Sequence, residues 1–144
     1  MSDFRKLEEG IFASPQIAVS DIAQARELGV TLVINNRPEG ESPDQTPGAD
    51  IEAAARAAGM DYLYIPVTHA GFSEGQVKAM AEALARNQGP VLAYCRSGTR
   101  STLLWSLAEA SRGRNVDDIA TAAACGGYDV APIRQLMDML AARS

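Results

Sequence analysis

The sequence contains only two cysteines and a single histidine. A structural zinc site needs about four cysteine or histidine ligands, usually in closely spaced pairs, so we expect no bound metal. No apolar run approaches the roughly 18 residues of a membrane span, and none near the N-terminus has the length of a signal peptide. These absences predict a cytoplasmic protein with no membrane partner. Its two thiols, Cys95 and Cys125, are expected to be free because the cytosol is reducing.

Basic residues are also in the minority. Lys and Arg number 13 against 18 Asp and Glu, which gives a formal net charge of −5. An acidic surface repels polyanions, so we expect neither nucleic acid nor an anionic membrane as the main partner. A single basic pocket can still lie within an acidic protein, and the charge balance therefore leaves a small anionic ligand open.

The chain alternates short β-branched runs with segments of helical periodicity, and no linker or repeat divides it. Residues 1–144 are therefore predicted to form one domain. Strands are predicted at residues 11–13 (an edge strand), 30–34, 62–67 and 90–94. Helices are predicted at residues 20–29 with Ser20 as the N-cap, 49–58, 73–87, 99–110, from 115 to the glycine pair at 126–127, and 132–142. This order predicts an α/β fold whose mainly parallel sheet is covered by helices on both faces.

One predicted strand leads directly to a cysteine, Cys95. The carboxyl ends of parallel strands are where α/β proteins bind ligands. The following helix offers unpaired N–H groups and a partial positive charge, which stabilise a thiolate. Gly98 permits the turn that brings these amides together, and Arg100 adds a charged fork for an oxyanion. We therefore predict Cys95 as the nucleophile with Arg100 as its catalytic partner, and the Ser101 hydroxyl as a donor to the sulfur.

A cysteine at a strand end can also be an ordinary core residue. The combination of Cys95, Gly98 and Arg100 at one strand–helix junction favours the catalytic interpretation over this structural one.

The segment from Cys95 to Ser101, with the sequence CRSGTRS, resembles the active loop of the rhodanese-type sulfurtransferases. The chain from about Ser14 to Tyr128 resembles the phosphatase-like domain of beta-lactamase hydrolase-like proteins, a bacterial branch of the dual-specificity phosphatase superfamily. Its matching stretches are residues 14–16, 33–41, 57–60, 64–67 and the Cys95 loop. The resemblance implies a cysteine-phosphatase-like fold, with about four parallel strands flanked by helices. We expect the anionic substrate to be bound by Arg96, Ser97, Gly98, Thr99, Ser101 and Arg37.

The length of the loop separates two chemistries. Cysteine phosphatases place five residues between nucleophile and arginine, so that the loop surrounds a phosphate. Here four residues separate Cys95 from Arg100, as in rhodaneses, whose loop holds a single terminal sulfur. The phosphatase general acid, an aspartate, has no counterpart in residues 68–74, where His69 and Glu74 are the candidates for proton transfer. A lone histidine in a loop, such as His69, is more often a solvated or capping residue. The residue before the nucleophile, histidine in many phosphatases, is Tyr94.

Three functions remain open on these grounds. The favoured one is a sulfurtransferase in which Cys95 takes a sulfane sulfur from thiosulfate or a low-molecular-weight persulfide and holds it as a persulfide. The alternatives are a phosphatase acting on phosphotyrosine or a small phosphoester through a cysteinyl phosphate, and a non-catalytic anion-binding module. None of the three needs a cofactor. The resemblance also implies a persulfide-oxidising partner enzyme of the metallo-β-lactamase fold, acting in trans.

Arg37 and Cys125 each allow two interpretations. Arg37 is either a second cation over the pocket or a loop arginine paired with Glu39 or Glu41. Cys125 either resolves an oxidised or persulfidated nucleophile into a disulfide or packs as a small residue at a helix end. Trp105, in the helix after the loop, is predicted to lie in the core.

Overall fold

A five-stranded sheet forms the centre of the computed structural model, which describes residues 2–144. The strands are β1 (Arg5–Glu8), β2 (Ile11–Ser14), β3 (Leu32–Asn35), β4 (Asp61–Tyr64) and β5 (Val91–Tyr94). The helices are α1 (Ile22–Glu27), α2 (Gly48–Ala57), α3 (Glu74–Arg86), α4 (Thr99–Ser111), α5 (Val116–Cys125) and α6 (Arg134–Arg143). The order across the sheet is β1-β2-β5-β3-β4. Strands β2 to β5 are parallel and β1 is antiparallel, which confirms the predicted α/β fold with about four parallel strands.

Side chains alternate along the strands and divide the core in two. In β3, Leu32 and Ile34 belong to the cluster formed with helices α3 to α6, whereas Val33 belongs to the cluster formed with α1 and α2. Successive residues of a strand point to opposite faces, so a run without polar interruption indicates a sheet buried on both sides. All four residues of β3 and of β5 are buried accordingly.

Helix α4 is the most enclosed element of the fold. Every residue from position 101 to position 110 is buried, because α3, α5 and α6 all pack against this helix and the sheet lies beneath it. Trp105 lies in the core as predicted, at 1% exposure. Within residues 2–144, no helix has both the length and the apolar character needed to span a bilayer.

Two strand predictions were wrong in detail. At the edge of the sheet nearest β2, the outermost strand is β1. This strand has only one buried residue and therefore shows no apolar alternation. The strand predicted at residues 11–13 as an edge strand is β2, which lies inside the sheet between β1 and β5. Strand β4 ends at Tyr64, ahead of Pro66, whose lack of an N–H prevents it from continuing the ladder.

Two of the predicted helices begin with an N-cap at their first predicted residue, Ser73 and Asn115. Ser73 Oγ accepts a hydrogen bond from the N–H of Gln76 at 3.1 Å. In return, the side chain of Gln76 accepts one from the N–H of Ser73. Asn115 caps α5 with a single bond, in which its Oδ1 accepts from the N–H of Asp118 at 3.1 Å. Ser20, however, is not a cap. It lies inside a short 3₁₀ turn before α1, where Asp21 accepts from the N–H of Ala18 at 2.7 Å.

Candidate active site

The loop after β5 lies at the carboxyl edge of the sheet, between the ends of β2 and β3. The N–H of Cys95 donates to the carbonyl of Ser14 at the end of β2, at 3.3 Å. On the other side, the N–H of Asn36 donates to the carbonyl of Tyr94 at 2.8 Å. The sheet order therefore brings three strand ends together around the predicted nucleophile.

The sulfur of Cys95 is fully buried, at 0% exposure. Its neighbour is a backbone amide: the N–H of Gly98 donates to Sγ at 3.1 Å. Gly98 has a φ of +91°, a left-handed conformation that favours glycine. A Cβ at this position would also overlap the hydroxyl of Tyr128. Glycine is thus required for the turn that aims this N–H at the sulfur.

Arg100 is held by three hydrogen bonds. Nη1 donates to Glu41 Oε2 at 2.7 Å and to the carbonyl of Val67 at 2.6 Å, and Nη2 donates to Glu41 Oε1 at 2.8 Å. A guanidinium has five N–H groups, so the Nε–H and one Nη2–H remain on its other edge. The pKa of Arg100 is raised by its hydrogen bonds to Glu41 and also by the negative charge of nearby Cys95. The free edge of this side chain is therefore available to an anion carried by the sulfur.

Glu41 is shared by two arginines. Besides Arg100, it accepts from Arg37 Nε at 3.0 Å. These hydrogen bonds, the one from Arg100 first, lower the pKa of Glu41 to about 2. The carboxylate is thus charged across the physiological range and fixes the orientation of the guanidinium above the loop.

Arg37 is buried at 3% exposure. Its remaining nitrogens donate to Gln16 Oε1 at 3.0 Å and to Ser42 Oγ at 3.1 Å. Of the two interpretations of this residue, the structure shows the ion pair with Glu41. Each nitrogen of the Arg37 guanidinium makes one hydrogen bond, and Glu41 links Arg37 to the loop arginine, Arg100.

The hydroxyl of Ser101 differs from its expected role. It donates to Asn36 Oδ1 at 2.8 Å, and Asn36 Nδ2 donates in turn to the carbonyl of Ile65 at 2.9 Å. Ser101 is 1% exposed. Its proton is therefore directed to the asparagine and not to the sulfur, and the pair ties α4 to the end of β3.

The other loop residues form an exposed rim. Arg96, Ser97 and Thr99 are all exposed, and Ser97 Oγ donates to Thr99 Oγ1 at 3.1 Å. These exposed side chains can contact an incoming anion, whereas the contact with the sulfur comes from the backbone N–H of Gly98.

The candidates for proton transfer lie on the loop that follows β4. His69 is exposed, two residues after the Val67 carbonyl that Arg100 contacts. Glu74 is exposed in the first turn of α3, with Arg143 at 3.8 Å. Among residues 2–144, neither the Glu74 carboxylate nor the His69 imidazole forms a hydrogen bond with the Cys95 loop. Tyr94 is buried within the α1–α2 core, and burial raises the pKa of its hydroxyl.

Cys125 is the last residue of α5 and is exposed. It therefore does not pack at the helix end as a buried small residue. Both cysteines are free thiols, as predicted.

The sequence analysis did not place Glu41 or Tyr128 at the site, although Glu41 contacts Arg100 and Tyr128 contacts the Cys95 loop. Glu41 had been considered only as a partner of Arg37, and Tyr128, whose hydroxyl donates to the Ser97 carbonyl at 3.0 Å, had no assigned role. The spacing of Glu41 four residues after Arg37 was a usable signal for an ion pair. No local pattern marked Tyr128, because its contact joins positions that are 31 residues apart.

The shared carboxylate predicts an acid-sensitive stability. Because the pKa of Glu41 falls from its usual 4.5 to about 2 in the folded protein, its charge contributes about 3 kcal/mol above pH 4.5. This contribution is lost as the pH drops from 4.5 towards 2. We expect Glu41→Gln to lower the free energy of unfolding by about 3 kcal/mol at pH 7, and the difference from the wild type to narrow at pH 3. Urea denaturation at both pH values measures this.

Glu82→Gln is the matched control. It removes an (i, i+4) pair with Arg86 whose two side chains are 46% and 79% exposed. Such a pair contributes about 0.5 kcal/mol or less. A Glu41→Gln protein as stable at pH 7 as this control would contradict the role given to Glu41.

Comparisons with known proteins identify the family and the fold of this chain. Residues 3–112 match the family described as "Beta-lactamase hydrolase-like protein, phosphatase-like domain". A beta-lactamase hydrolase-like protein of Agrobacterium fabrum is 35% identical over 126 residues, which cover 87% of this chain and 29% of the relative. The chain thus spans under a third of the length of that relative.

Solved structures show the same fold. A candidate phosphatase from Neisseria meningitidis is 33% identical, with a TM-score of 0.83 over 97% of this chain and 99% of that one. Another candidate phosphatase, from Shewanella putrefaciens, is 23% identical, with a TM-score of 0.75 over 99% of this chain and 93% of that one. The second comparison supports the fold only.

The fold and the cysteine–arginine loop together define a cysteine-dependent enzyme of the phosphatase-like class. Since the family match covers most of its length and the Agrobacterium relative exceeds 30% identity, the chain belongs to the beta-lactamase hydrolase-like family, as its phosphatase-like domain.

Proposed function

We propose that this protein is a sulfurtransferase that carries a sulfane sulfur on Cys95. The observation that supports it is the six-residue loop, Cys95 to Arg100, closed around a sulfur of 0% exposure with the Gly98 amide 3.1 Å away. A terminal persulfide sulfur adds one atom to Sγ. A phosphoryl group adds a phosphorus and three oxygens, which need a wider ring of amides than this short loop provides.

The reaction is a pair of displacements at sulfur. The Cys95 thiolate attacks the outer sulfur of thiosulfate, the new S–S bond forms, and the old S–S bond breaks as sulfite leaves with the electron pair. A second nucleophile, a thiolate or cyanide, then attacks that outer sulfur and releases the Cys95 thiolate. No net electrons are exchanged with an outside oxidant, and both leaving groups are weak bases. The scheme therefore needs no general acid, which fits the lack of an aspartate in residues 68–74.

The free edge of Arg100 supports the choice of an anionic donor. Its Nε–H and remaining Nη2–H form a fork that matches two oxygens of a sulfonate. Arg96, exposed on the rim, adds a second cation that attracts thiosulfate or an anionic persulfide from solution. We extend the proposal to a persulfide-oxidising enzyme as the partner that consumes the transferred sulfur.

A phosphatase is the second candidate. The fold and the neighbouring structures favour it, and the same arginine fork matches two phosphate oxygens. The short loop and the missing aspartate oppose it. A non-catalytic anion-binding module would share the site but turn over neither substrate.

Intact mass spectrometry on one preparation separates these candidates. After incubation with thiosulfate and removal of excess reagent, we expect the protein to gain the mass of one sulfur atom. The adduct should persist in Cys125→Ser and be absent in Cys95→Ala. Addition of cyanide should remove it and yield thiocyanate.

The phosphate arm uses para-nitrophenyl phosphate with the same variants. We expect no phosphoenzyme and a far lower turnover than that of sulfur transfer. Phosphoester hydrolysis that depends on Cys95, without any sulfur adduct, would replace the proposal with the phosphatase. Anion binding without turnover of either substrate would replace it with the binding module.

A further inference from the structure

Tyr128 lies against the back of the loop. It follows the glycine pair at the end of α5, and its side chain is 8% exposed. The hydroxyl donates to the carbonyl oxygen of Ser97 at 3.0 Å. On its other side, the guanidinium of Arg5 lies 5.3 Å from the centre of the tyrosine ring, a distance typical of a cation–π contact.

The carbonyl that Tyr128 contacts and the amide that contacts the sulfur belong to the same peptide group. Ser97 C=O and Gly98 N–H share one plane, and in a trans peptide they point in opposite directions. Tyr128 binds one end of this plane at 3.0 Å and Cys95 Sγ lies 3.1 Å from the other. A hydrogen bond at the carbonyl also polarises the peptide and strengthens the bond that its N–H makes.

We propose that Tyr128 is a positioning residue, which holds the Ser97–Gly98 peptide in the orientation that directs its N–H at the Cys95 thiolate. The orientation needs such support because glycine at position 98 leaves this peptide free to rotate. The inference rests on the proposed function only in requiring a thiolate at Cys95, which sulfur and phosphate chemistry share.

The charges around the phenol are consistent with a donor. Burial raises the pKa of Tyr128, the Arg5 guanidinium opposes this, and the negative charge of Cys95 raises it further. The hydroxyl thus remains protonated at neutral pH. Asp3, which pairs with Arg5 at 3.2 Å, also raises the pKa of Tyr128. Arg100 lies on the other side of the sulfur, where it is bound by Glu41.

Tyr128→Phe tests the proposal because it keeps the ring and removes only the donor. In a Cys125→Ser background, iodoacetamide reports on Cys95 alone, and its rate follows the fraction of thiolate. We expect alkylation at pH 7 to slow by about three- to ten-fold, the worth of one hydrogen bond, and the pH–rate profile to move to higher pH. At a pH where both proteins are fully ionised, the two rates should converge.

Tyr64→Phe in the same background is the matched control. Its hydroxyl also contacts the backbone, accepting from the N–H of Glu39 at 3.1 Å, and it lies outside the Cys95 loop. We expect its alkylation profile to equal that of the parent. An unchanged profile in Tyr128→Phe, or an equal displacement in both variants, would overturn the proposal. Alkylation needs no substrate, so this result is independent of whether the protein transfers sulfur.

Discussion

Cys95→Ser is expected to lower the transfer of sulfur from thiosulfate to cyanide by at least about 10³-fold. A serine hydroxyl is not ionised near neutral pH and cannot hold a sulfane sulfur as a persulfide. The substitution changes one atom at a site where the Gly98 N–H already offers a hydrogen bond. The protein should therefore stay folded while activity is lost. Steady-state thiocyanate production, with circular dichroism on the same sample, measures both.

Cys125→Ser is the control for this experiment. Cys125 is exposed at the end of α5, and we expect its removal to leave transfer within about two-fold of the wild type, since surface substitutions have small effects. Full activity in Cys95→Ser, or loss of activity only in Cys125→Ser, would show that the nucleophile has been assigned to the wrong cysteine.

Arg100→Lys is expected to lower kcat/KM for thiosulfate by about 10²-fold. The arginine uses one edge for Glu41 and keeps the other for the anion, whereas the single ammonium of lysine cannot make both sets of bonds. Charge is preserved, so the loss measures the geometry of the guanidinium. Kinetics over a range of thiosulfate concentrations separate the effect on kcat from that on KM.

The matched variant is Arg96→Lys, four positions earlier in the loop. Arg96 is exposed, and its proposed role is to attract the anion by charge. Since lysine keeps that charge, we expect kcat/KM to change by less than about three-fold. If Arg100→Lys were as active as Arg96→Lys, the fork of Arg100 would not be part of the chemistry.

The structure changes the interpretation of three predicted site residues. Ser101 donates to Asn36 and not to the sulfur. Arg37 is buried and pairs with Glu41, the carboxylate that also binds Arg100. His69 is exposed on the loop after β4, and Arg100 binds this loop at the Val67 carbonyl. These roles were assigned from sequence position alone: Arg37 from a strand end, Ser101 from the segment after Cys95, and His69 from the loop that carries the general acid in phosphatases. Position in the sequence does not determine where a side chain points.

Cys95, Gly98 and Arg100 were identifiable from the sequence because they lie within six consecutive residues. Over so short a segment, the spacing itself decides which groups converge, and a glycine between a strand and a helix has few alternatives to a tight turn. The parallel α/β fold followed for a similar reason, since apolar periodicity is a local property that the sheet and its helices share.

Other contacts were decided only by the tertiary structure. Glu41 and Arg100 are 59 positions apart, and Tyr128 and Ser97 are 31 apart. These contacts depend on the order β2-β5-β3, which gathers three strand ends at one edge, and on the packing of α5 beside β1. The order of strands in the sheet cannot be predicted from local periodicity, because periodicity describes only neighbouring residues in the sequence. The reactive loop could thus be predicted from the sequence alone. The groups that orient its arginine and its central peptide, Glu41 and Tyr128, were identified only in the tertiary structure, because distant segments bring them to the loop.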